Sequence, residues 1–518
     1  MTLGKAPSQS DLFGSGADFC EERLGESSVY RLLHRECHRL FPDELFADLF
    51  EDIGRRSVPP RIVAVVMVLQ RLDGLSDRDA VDRFAFDLRW KYAAGGLEFN
   101  FSGFVHTVLV DMRARLRASE RPNRIFDAVL DIAKQAGLVG RKRVLDSTAL
   151  YDAVATQDTV TLIRSAIRAL LKVADGELAL QLRAALKRDD DYQAPGKPAC
   201  DWDDESAREA LIDALARDAH ALLARLDGLE LAEPLRDAAT LLSTVTGQDL
   251  EQREDGVFRI ARRVAPDRVI STVDPEARHG HKTSARGFDG YKGHIAIDPD
   301  SEIITATAVT AGNVADGRAA EQILTDVLPS ETSDNQKSDV EVFGDASYGT
   351  GELVDRLEEA GIEANVKVQG AVAREGLYSQ DDFQIDTKAG TARCPQGVLV
   401  QLRRSKDGFA SAEFGAQCAA CPQRERCTTA KSGRSLWVHA RHDTLVRSRT
   451  RQKDPAWLKR YRATRPKVER KLAHLMRHRH GGRRARVRGT VRIGHDFALL
   501  GAAMNLRRLA TFWATSTH

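Results

Sequence analysis

The chain has 518 residues, of which 42% are hydrophobic and 29% charged, a composition typical of a soluble globular protein with about three domains. Its longest apolar run, Ile62–Leu69, is far shorter than the roughly 18 residues that a membrane-spanning helix needs, so no membrane partner is expected. The N-terminus lacks the apolar block of a secretory signal, and seven cysteines is an odd count, which argues against an extracellular disulfide framework. The cytoplasm is therefore the expected compartment.

The net charge of +2 hides a strong separation of charge along the chain. Residues 441–492 carry 19 Lys and Arg against 3 Asp and Glu, whereas residues 189–255 carry 6 basic against 18 acidic residues. A basic segment of this density is typical of a surface that binds a polyanion such as nucleic acid. A solvated basic helix followed by a disordered tail explains the same charge equally well, so charge alone leaves both interpretations open.

The N-terminal part is predicted to be helical. Residues 1–29 have the character of a flexible leader, and residues 30–139 that of a helical domain for DNA binding or assembly. Pro59–Pro60 predicts the start of a buried helix over Ile62–Leu72, and Ser76 predicts the cap of the next one. Two short helices across such a turn suggest a helix-turn-helix that reads DNA, although simple packing of the helices is the commoner explanation. The basic residues of this region are Arg78, Arg89 and Lys91.

Residues 140–518 alternate strands and helices, which predicts an α/β catalytic domain. A short strand ends at Asp146, and a helical insertion over residues 151–266 follows it. A hairpin over Tyr291–Thr310 and a helix over Ala319–Leu328 then lead to a second short strand, which ends at Asp345.

A cysteine-rich insertion is predicted over residues 371–440. Thiolates at this spacing favour a tetrahedral Zn²⁺ site, with free thiols as the alternative. A long basic helix that ends at Gly481–Gly482 and a closing apolar helix over Phe497–Trp513 are predicted to complete the chain. The zinc candidates are Cys394, Cys418, Cys421 and Cys427.

Three acids are candidates for catalysis. Asp146 and Asp345 each follow a hydrophobic strand, and two-metal phosphoryl transfer needs carboxylates from separate strands around Mg²⁺. Glu469 is the only acid between Asp454 and Asp496, inside the most basic part of the chain. Taken alone, the aspartates are equally well explained as strand-end caps and the glutamate as a salt-bridge partner. The chain has no G-x4-G-K-[ST] phosphate loop, which argues against an ATP-driven motor.

Several sequence blocks carry a resemblance when they are taken together and in order. They are Leu75–Val81, Leu88–Tyr92, Val144–Thr148, Asp274–Gly280, Phe288–Lys292, Thr310–Asp316, Gly344–Gly349, Arg465–Glu469 and Gly482–Gly489. With the cysteine pattern, these blocks resemble a bacterial insertion-sequence transposase of the DDE type, in its eleven-eighty-two branch. The resemblance spans roughly Tyr30–Leu509.

The resemblance implies an RNase H-like catalytic core in which Asp146, Asp345 and Glu469 bind Mg²⁺ or Mn²⁺. It also implies that a homo-oligomer cleaves double-stranded DNA at the terminal inverted repeats of a mobile element and transfers the ends into target DNA. The expected DNA contacts are Arg78, Arg89, Lys91, Arg278, Lys292, Arg465, Lys471, Arg477, Arg483, Arg484, Arg486 and Arg488.

The tail departs from the broader family signature in two places. Tyr461 lies four rather than three residues before Arg465, and Met476 stands where a lysine is expected, with Arg477 next to it. The roles of Tyr461 and Arg477 therefore stay open. Two alternative functions remain: a metal-dependent RNase H-like nuclease without strand transfer, and a catalytically inactive DNA-binding protein, against which three acids in intact motifs argue.

Overall fold

A computed structural model of the chain describes residues 16–51, 53–194, 196–283, 285–328, 339–373 and 376–516. No helix among these residues is long and apolar enough to cross a membrane. Residues 1–15 of the expected leader lie outside the described residues. The rest of it is not a loose segment, because Gly16–Arg23 is helical, Cys20 is buried, and Glu21 pairs with Arg35 at 2.5 Å.

The N-terminal part is built from helices α1 Gly16–Arg23, α2 Val29–Leu40, α3 Pro60–Asp73, α4 Asp77–Phe86, α5 Leu88–Ala93, α6 Thr107–Ala118 and α7 Arg124–Gln135. As the sequence predicts, α3 starts at Pro60, and Ser76 caps α4 by accepting a hydrogen bond from the Asp79 amide at 3.2 Å. Gly74 ends α3 with a φ of 67°, and a Cβ there would lie 2.3 Å from the carbonyl oxygen of Arg479. The turn therefore needs a glycine, because the C-terminal segment packs directly against it.

The chain enters the main sheet with β1, Lys142–Tyr151, which continues five residues beyond Asp146. It then leaves the sheet to form helices with a hydrophobic core of their own, in which Ile163, Leu215 and Leu242 are fully buried. These elements are α8 Thr159–Val173, α9 Gly176–Ala185, α10 Glu205–Leu226, α11 Glu233–Asp249 and the hairpin of β2 Leu250–Gln252 and β3 Phe258–Ile260.

The remaining strands of the main sheet are β4 Arg278–Thr283, β5 Arg286–Ile297, β6 Ile304–Ala311, β7 Glu341–Gly344 and β8 Glu363–Val366. Helices α12 Ala320–Ile323 and α13 Gly351–Glu359 lie in the same stretch. The predicted hairpin is present as β5 and β6, whereas the helix predicted over Ala319–Leu328 is a single turn that stops at Ile323.

The sheet combines antiparallel and parallel pairing. β6 pairs with β5 and β5 with β1 in antiparallel fashion, while β7 and β8 continue the sheet on the other side of β1 as parallel strands. The resulting order is β6-β5-β1-β7-β8, and β4 pairs with the first half of β5. Successive residues of β1 face opposite cores, since Val144 belongs to one hydrophobic cluster and Leu145 to another. Both faces of the sheet are therefore covered.

The cysteine-rich segment contains the short strands β9 Gln384–Asp386, β10 Thr391–Arg393, β11 Leu399–Gln401, β12 Arg403–Arg404, β13 Ala410–Glu413 and β14 Ser435–Val438. It is followed by α14 His442–Arg451, α15 Pro455–Thr464, α16 Pro466–Leu475 and α17 Thr490–Ser516. The single basic helix expected from the sequence is thus three helices. Pro455 and Pro466 start new helices because each lacks the N–H that would continue the preceding one.

Helix α17 joins the sheet to the N-terminal helices. Phe497 and Leu506 of α17 lie in the same core as Leu33 of α2 and Ile295 of β5. The buried side chain of Asn505 also bonds to both the amide and the carbonyl of Ile304, each at 2.8 Å. The N-terminal helices and the main sheet consequently share one hydrophobic core.

Candidate active site

Asp146 and Asp345 lie side by side near the middle of the sheet. β1 and β7 run parallel with Val144 opposite Phe343, so the residues two further along, Asp146 and Asp345, lie beside each other. β7 ends at Gly344, and Asp345 begins the loop that follows. Asp146 lies within β1, beside the point where the neighbouring strand β7 ends. The sequence pattern predicts a strand end at this residue instead.

Glu469 reaches the same place from the first turn of α16. The guanidinium of Arg465, one turn before it, contacts all three acids: it lies 3.0 Å from Asp146, 3.6 Å from Asp345 and 3.6 Å from Glu469. The structure therefore brings together, around one cation, the three acids that the sequence singles out.

Burial and neighbouring charges shift the pKa values of Asp146 and Arg465 in this acid cluster. Asp146 is 9% exposed, and the loss of hydration raises its pKa above the ordinary value, although the charge of Arg465 partly offsets this. Burial alone would lower the pKa of Arg465, but the carboxylates of Asp146 and Asp345 raise it. The side chains of Asp345 and Glu469 are 39% and 61% exposed, so the cluster is closed around Asp146 and open to solvent at Glu469.

Tyr461, whose role the sequence leaves open, supports the loop of the second aspartate. Its hydroxyl donates to the carbonyl oxygen of Gly344 at 3.1 Å, and its ring stacks on Trp457 with centroids 4.8 Å apart. The spacing of four residues to Arg465 puts both side chains on one face of the helix. Tyr461 thus fixes the end of β7 directly before Asp345.

A second polar group lies beside Asp146, and two of its members are absent from the predicted site residues. Asp316 is 7% exposed and accepts hydrogen bonds from the Ser147 hydroxyl at 2.6 Å and the Lys292 ammonium at 2.8 Å. The Ser147 amide in turn donates to Asp146 Oδ1 at 2.8 Å. Asp316 therefore helps to hold Asp146 through Ser147. The position of Asp316 at the end of the Thr310–Asp316 block is the signal that could have found it.

A buried histidine ties the loop of Asp345 to the sheet. His294 of β5 hydrogen-bonds the hydroxyls of Tyr348 and Thr310, both at 2.9 Å. Burial lowers the pKa of His294 to about 4, so the ring is neutral at pH 7. Its two partners are remote in sequence, which is why no sequence pattern marks this residue.

A cavity of about 300 Å³ opens in front of Asp146 and Asp345. Its wall combines acids with basic side chains, as a site for a phosphate and a cation requires. β4 contributes one side of the wall with the exposed residues His281 and Lys282. The other charged residues that line it are Lys292 and Asp316.

The chemistry of the three acids suits a divalent cation. Carboxylate oxygens are the ligands that Mg²⁺ and Mn²⁺ prefer. As placed, however, all three contact Arg465, and within the described ranges no group of three or more His, Cys, Asp or Glu side chains is arranged to hold a metal ion. The donor set fits the ion, but a bound ion would have to share or replace contacts of Arg465.

Two family models match the chain. One, described as a transposase DDE domain, matches residues 393–510, and the other, described as a transposase domain (DUF772), matches residues 20–115. The two matches indicate an insertion-sequence DDE transposase. The first match includes Glu469 but neither aspartate. No curated protein and no solved structure matches.

The transposase, an enzyme that acts on DNA, exposes only part of the basic residues expected to contact its substrate. Lys91 and Lys471 are each 2% exposed, so a contact between either ammonium and a phosphate does not fit this structure. Arg465 is enclosed by acids. Arg278, Lys292 and Arg486 are half-buried. The exposed members of the set are Arg78, Arg89, Arg477, Arg483, Arg484 and Arg488.

The four clustered cysteines of the transposase line one small cavity of about 20 Å³. All four are free thiols. Burial raises the pKa of Cys427, and the other three cysteines act on it in the same direction, whereas Arg434 lowers it. The structure brings the four sulfur atoms to one place without arranging them as a ready set of metal ligands.

Proposed function

We propose that this transposase cleaves DNA at the ends of a mobile element and joins the freed 3′-hydroxyl to target DNA, with Asp146, Asp345 and Glu469 as its catalytic acids. The observation that carries the proposal is the meeting of three carboxylates from β1, the loop after β7 and α16 at one guanidinium. Like charges brought together raise the free energy of the folded protein, and such clusters are typical of functional sites.

An RNase H-like core is part of the proposal. The mixed sheet, in the order β6-β5-β1-β7-β8, supports it because the parallel pairing of β1 with β7 brings Asp146 and Asp345 side by side. The first aspartate then belongs to the central strand and the second follows its parallel neighbour. On this interpretation residues 151–266 and 371–440 are insertions into a catalytic domain that spans 140–518.

Mg²⁺ or Mn²⁺ is the proposed cofactor, held by Asp146, Asp345 and Glu469. When bound, a pair of such ions activates the attacking oxygen and stabilises the leaving oxygen of a phosphodiester. The chain itself positions the acids: Tyr461 supports the loop of Asp345, and Asp316 holds Asp146 through Ser147.

A strand-transfer assay tests this function. The full chain, Mg²⁺, a target duplex and a labelled duplex that ends in the pre-cleaved inverted repeat flanking the gene should yield longer, joined products. A nuclease without strand transfer would shorten the labelled DNA and join none of it, and an inactive DNA-binding protein would leave it unchanged. Either of these results would overturn the proposal.

We also propose that the arginines of residues 483–488 guide the DNA backbone to the acids. This segment is bonded to the end of β1, since the Tyr151 amide donates to the Arg483 carbonyl at 3.0 Å and the Ala485 amide donates to the Tyr151 carbonyl at 2.8 Å. Exposed guanidinium groups are thereby held close to the strand that carries Asp146, where phosphates would attract them.

Replacing Arg483, Arg484 and Arg488 together by Gln should weaken binding to DNA of any sequence. Each lost phosphate contact lowers the slope of log K against log salt by about 0.9, so a flattening by about 2 to 3 is expected. Binding measured across a salt series gives this slope. The matched control replaces three exposed arginines of the acidic helical insertion, Arg225, Arg236 and Arg253, and should keep the wild-type slope. An unchanged slope in the first variant would contradict the proposed path.

A structural Zn²⁺ held by Cys394, Cys418, Cys421 and Cys427 is proposed for the cysteine-rich segment. Four free thiols around one cavity, in a segment of short strands with a small core, support it. Metal analysis of the purified chain should find about one zinc per chain, by the four-thiolate stoichiometry of such sites. Cys421→Ser should lower the zinc content and Cys200→Ser should not. A folded wild-type chain purified without zinc would refute the site.

The remaining proposals concern assembly and place of action. We propose that the enzyme works in the cytoplasm at the nucleoid, as a homo-oligomer on DNA, and that the N-terminal helices around Arg78 recognise the element ends. Light scattering of the chain with and without end DNA checks the assembly, because a single chain per DNA end would contradict it.

A further inference from the structure

Arg465 lies inside the acid cluster with little access to solvent. It is 6% exposed and sits between α15 and α16, where its amide donates to the Tyr461 carbonyl at 2.9 Å. Its Nε is buried and has no hydrogen-bond partner among the residues that the structure describes. The three acids contact Nη1 and Nη2, and this donor is not among their contacts.

The three ion pairs of Arg465 are unequal. Asp146 receives two contacts, from Nη1 at 3.2 Å and from Nη2 at 3.0 Å, and its side chain is 13% exposed. Asp345 and Glu469 each receive one looser contact at 3.6 Å and are far more exposed. The contacts with Asp345 and Glu469 are longer and their carboxylates are open to solvent, so the guanidinium is held mainly by Asp146 and these two contacts are the ones it can exchange.

We propose that Arg465 couples metal binding to DNA binding, because it holds the three carboxylates as an internal cation until a DNA phosphate engages its guanidinium. The inference rests on the proposed role of the acids as metal ligands. A divalent ion and a guanidinium compete for the same carboxylate oxygens. A phosphate binds a guanidinium in bidentate fashion and so draws Arg465 away from Asp345 and Glu469, which frees them for the ion.

The coupling has to be reciprocal. If DNA raises the affinity for the ion, the ion raises the affinity for DNA by the same factor, on the order of tenfold for a typical coupling. The consequence is an enzyme that holds its metal loosely until a DNA phosphate engages Arg465.

Mn²⁺ binding to the full chain, followed through the electron paramagnetic resonance signal of free Mn²⁺, tests the coupling. The wild type should bind Mn²⁺ on the order of tenfold more tightly with a short duplex present, after subtraction of the ion bound by the duplex alone. Arg465→Gln should bind Mn²⁺ without DNA more tightly than the wild type by a similar factor, and the duplex should no longer raise its affinity. The matched control is Arg470→Gln, because Arg470 lies on α16 but pairs with Glu302.

The outcomes separate this inference from the proposed function. Equal or weaker Mn²⁺ binding by Arg465→Gln would overturn the coupling. Mn²⁺ binding by Asp146→Asn with wild-type affinity would instead overturn the role of the acids. If Arg465→Gln fails to fold, Arg465→Lys keeps the charge without the bidentate fork, and an unchanged response of its Mn²⁺ affinity to DNA would count against the inference.

Discussion

Asp146→Asn is expected to abolish both DNA cleavage and strand transfer while leaving DNA binding, measured without divalent ions, close to that of the wild type. The amide keeps the size of the side chain but removes the charge that would attract a divalent cation. Metal ions contribute several kcal/mol to phosphoryl transfer, and about 4 kcal/mol corresponds to roughly a thousandfold loss of rate. The exposed arginines proposed to bind DNA are untouched.

The measurement compares the rates of cleavage and of joining with the dissociation constant for end DNA, which is determined without divalent ions. Asp300→Asn is the matched control, because Asp300 is an exposed acid with a side chain 71% accessible that pairs with Lys467 and Lys142. The control should keep the wild-type rates. Retained strand transfer in Asp146→Asn would refute the assignment, whereas a joint loss of activity and DNA binding would indicate misfolding, which circular dichroism detects.

The pH dependence of the wild type follows from the same residue. Burial raises the pKa of Asp146, so protonation displaces a cation at a higher pH than for an ordinary aspartate. The affinity of the metal-free chain for Mn²⁺, measured across a pH series, is therefore expected to fall on acidification before ordinary carboxylates titrate. Because the pKa of Asp146 is raised in the folded protein, its ionised form destabilises the fold at pH values above that pKa. This destabilisation disappears as Asp146 is protonated on acidification.

The order of strands and helices in the catalytic part could be predicted because it depends on local patterns. The hairpin of β5 and β6 is marked by apolar alternation on both sides of Pro299–Asp300–Ser301. The proximity of Asp146 and Asp345 could be expected only through the family resemblance. Asp146 and Asp345 lie side by side because of the register of β1 against β7. This register pairs segments that are remote in sequence, so no local pattern specifies it.

The differences from expectation have the same origin. β1 extends to Tyr151 because β5 pairs with it along its second half, although the sequence after Asp146 looks like a turn. Charge density marks Lys471 as a DNA contact, yet packing buries it and lowers its pKa to about 8. The sequence shows how much positive charge the tail carries, but tertiary packing decides which cations face solvent and which, like Arg465, face acids.

Asp496→Ala is expected to destabilise the fold more than any surface substitution, because it leaves the buried charge of Arg71 without its acidic partner. Arg71 of α3 has a side chain only 3% exposed, and its Nε lies 2.9 Å from Asp496 of α17. Burial lowers the pKa of Arg71, and Asp496 opposes this by stabilising the charged form. Removing one partner of a buried ion pair typically costs about 3 to 5 kcal/mol.

Denaturant unfolding measures this loss of stability, and hydrogen exchange in α3 and α17 shows where it occurs. These two helices are chosen because the pair joins the N-terminal helices to the helix that covers the sheet. Glu413→Ala is the control: its pair with Arg403 is exposed on both sides and should contribute less than about 1 kcal/mol. Arg71→Met combined with Asp496→Ala should recover most of the stability, because no unpaired charge then remains buried. If Asp496→Ala alone changes the stability as little as the control does, the buried charge of Arg71 is not stabilised by Asp496.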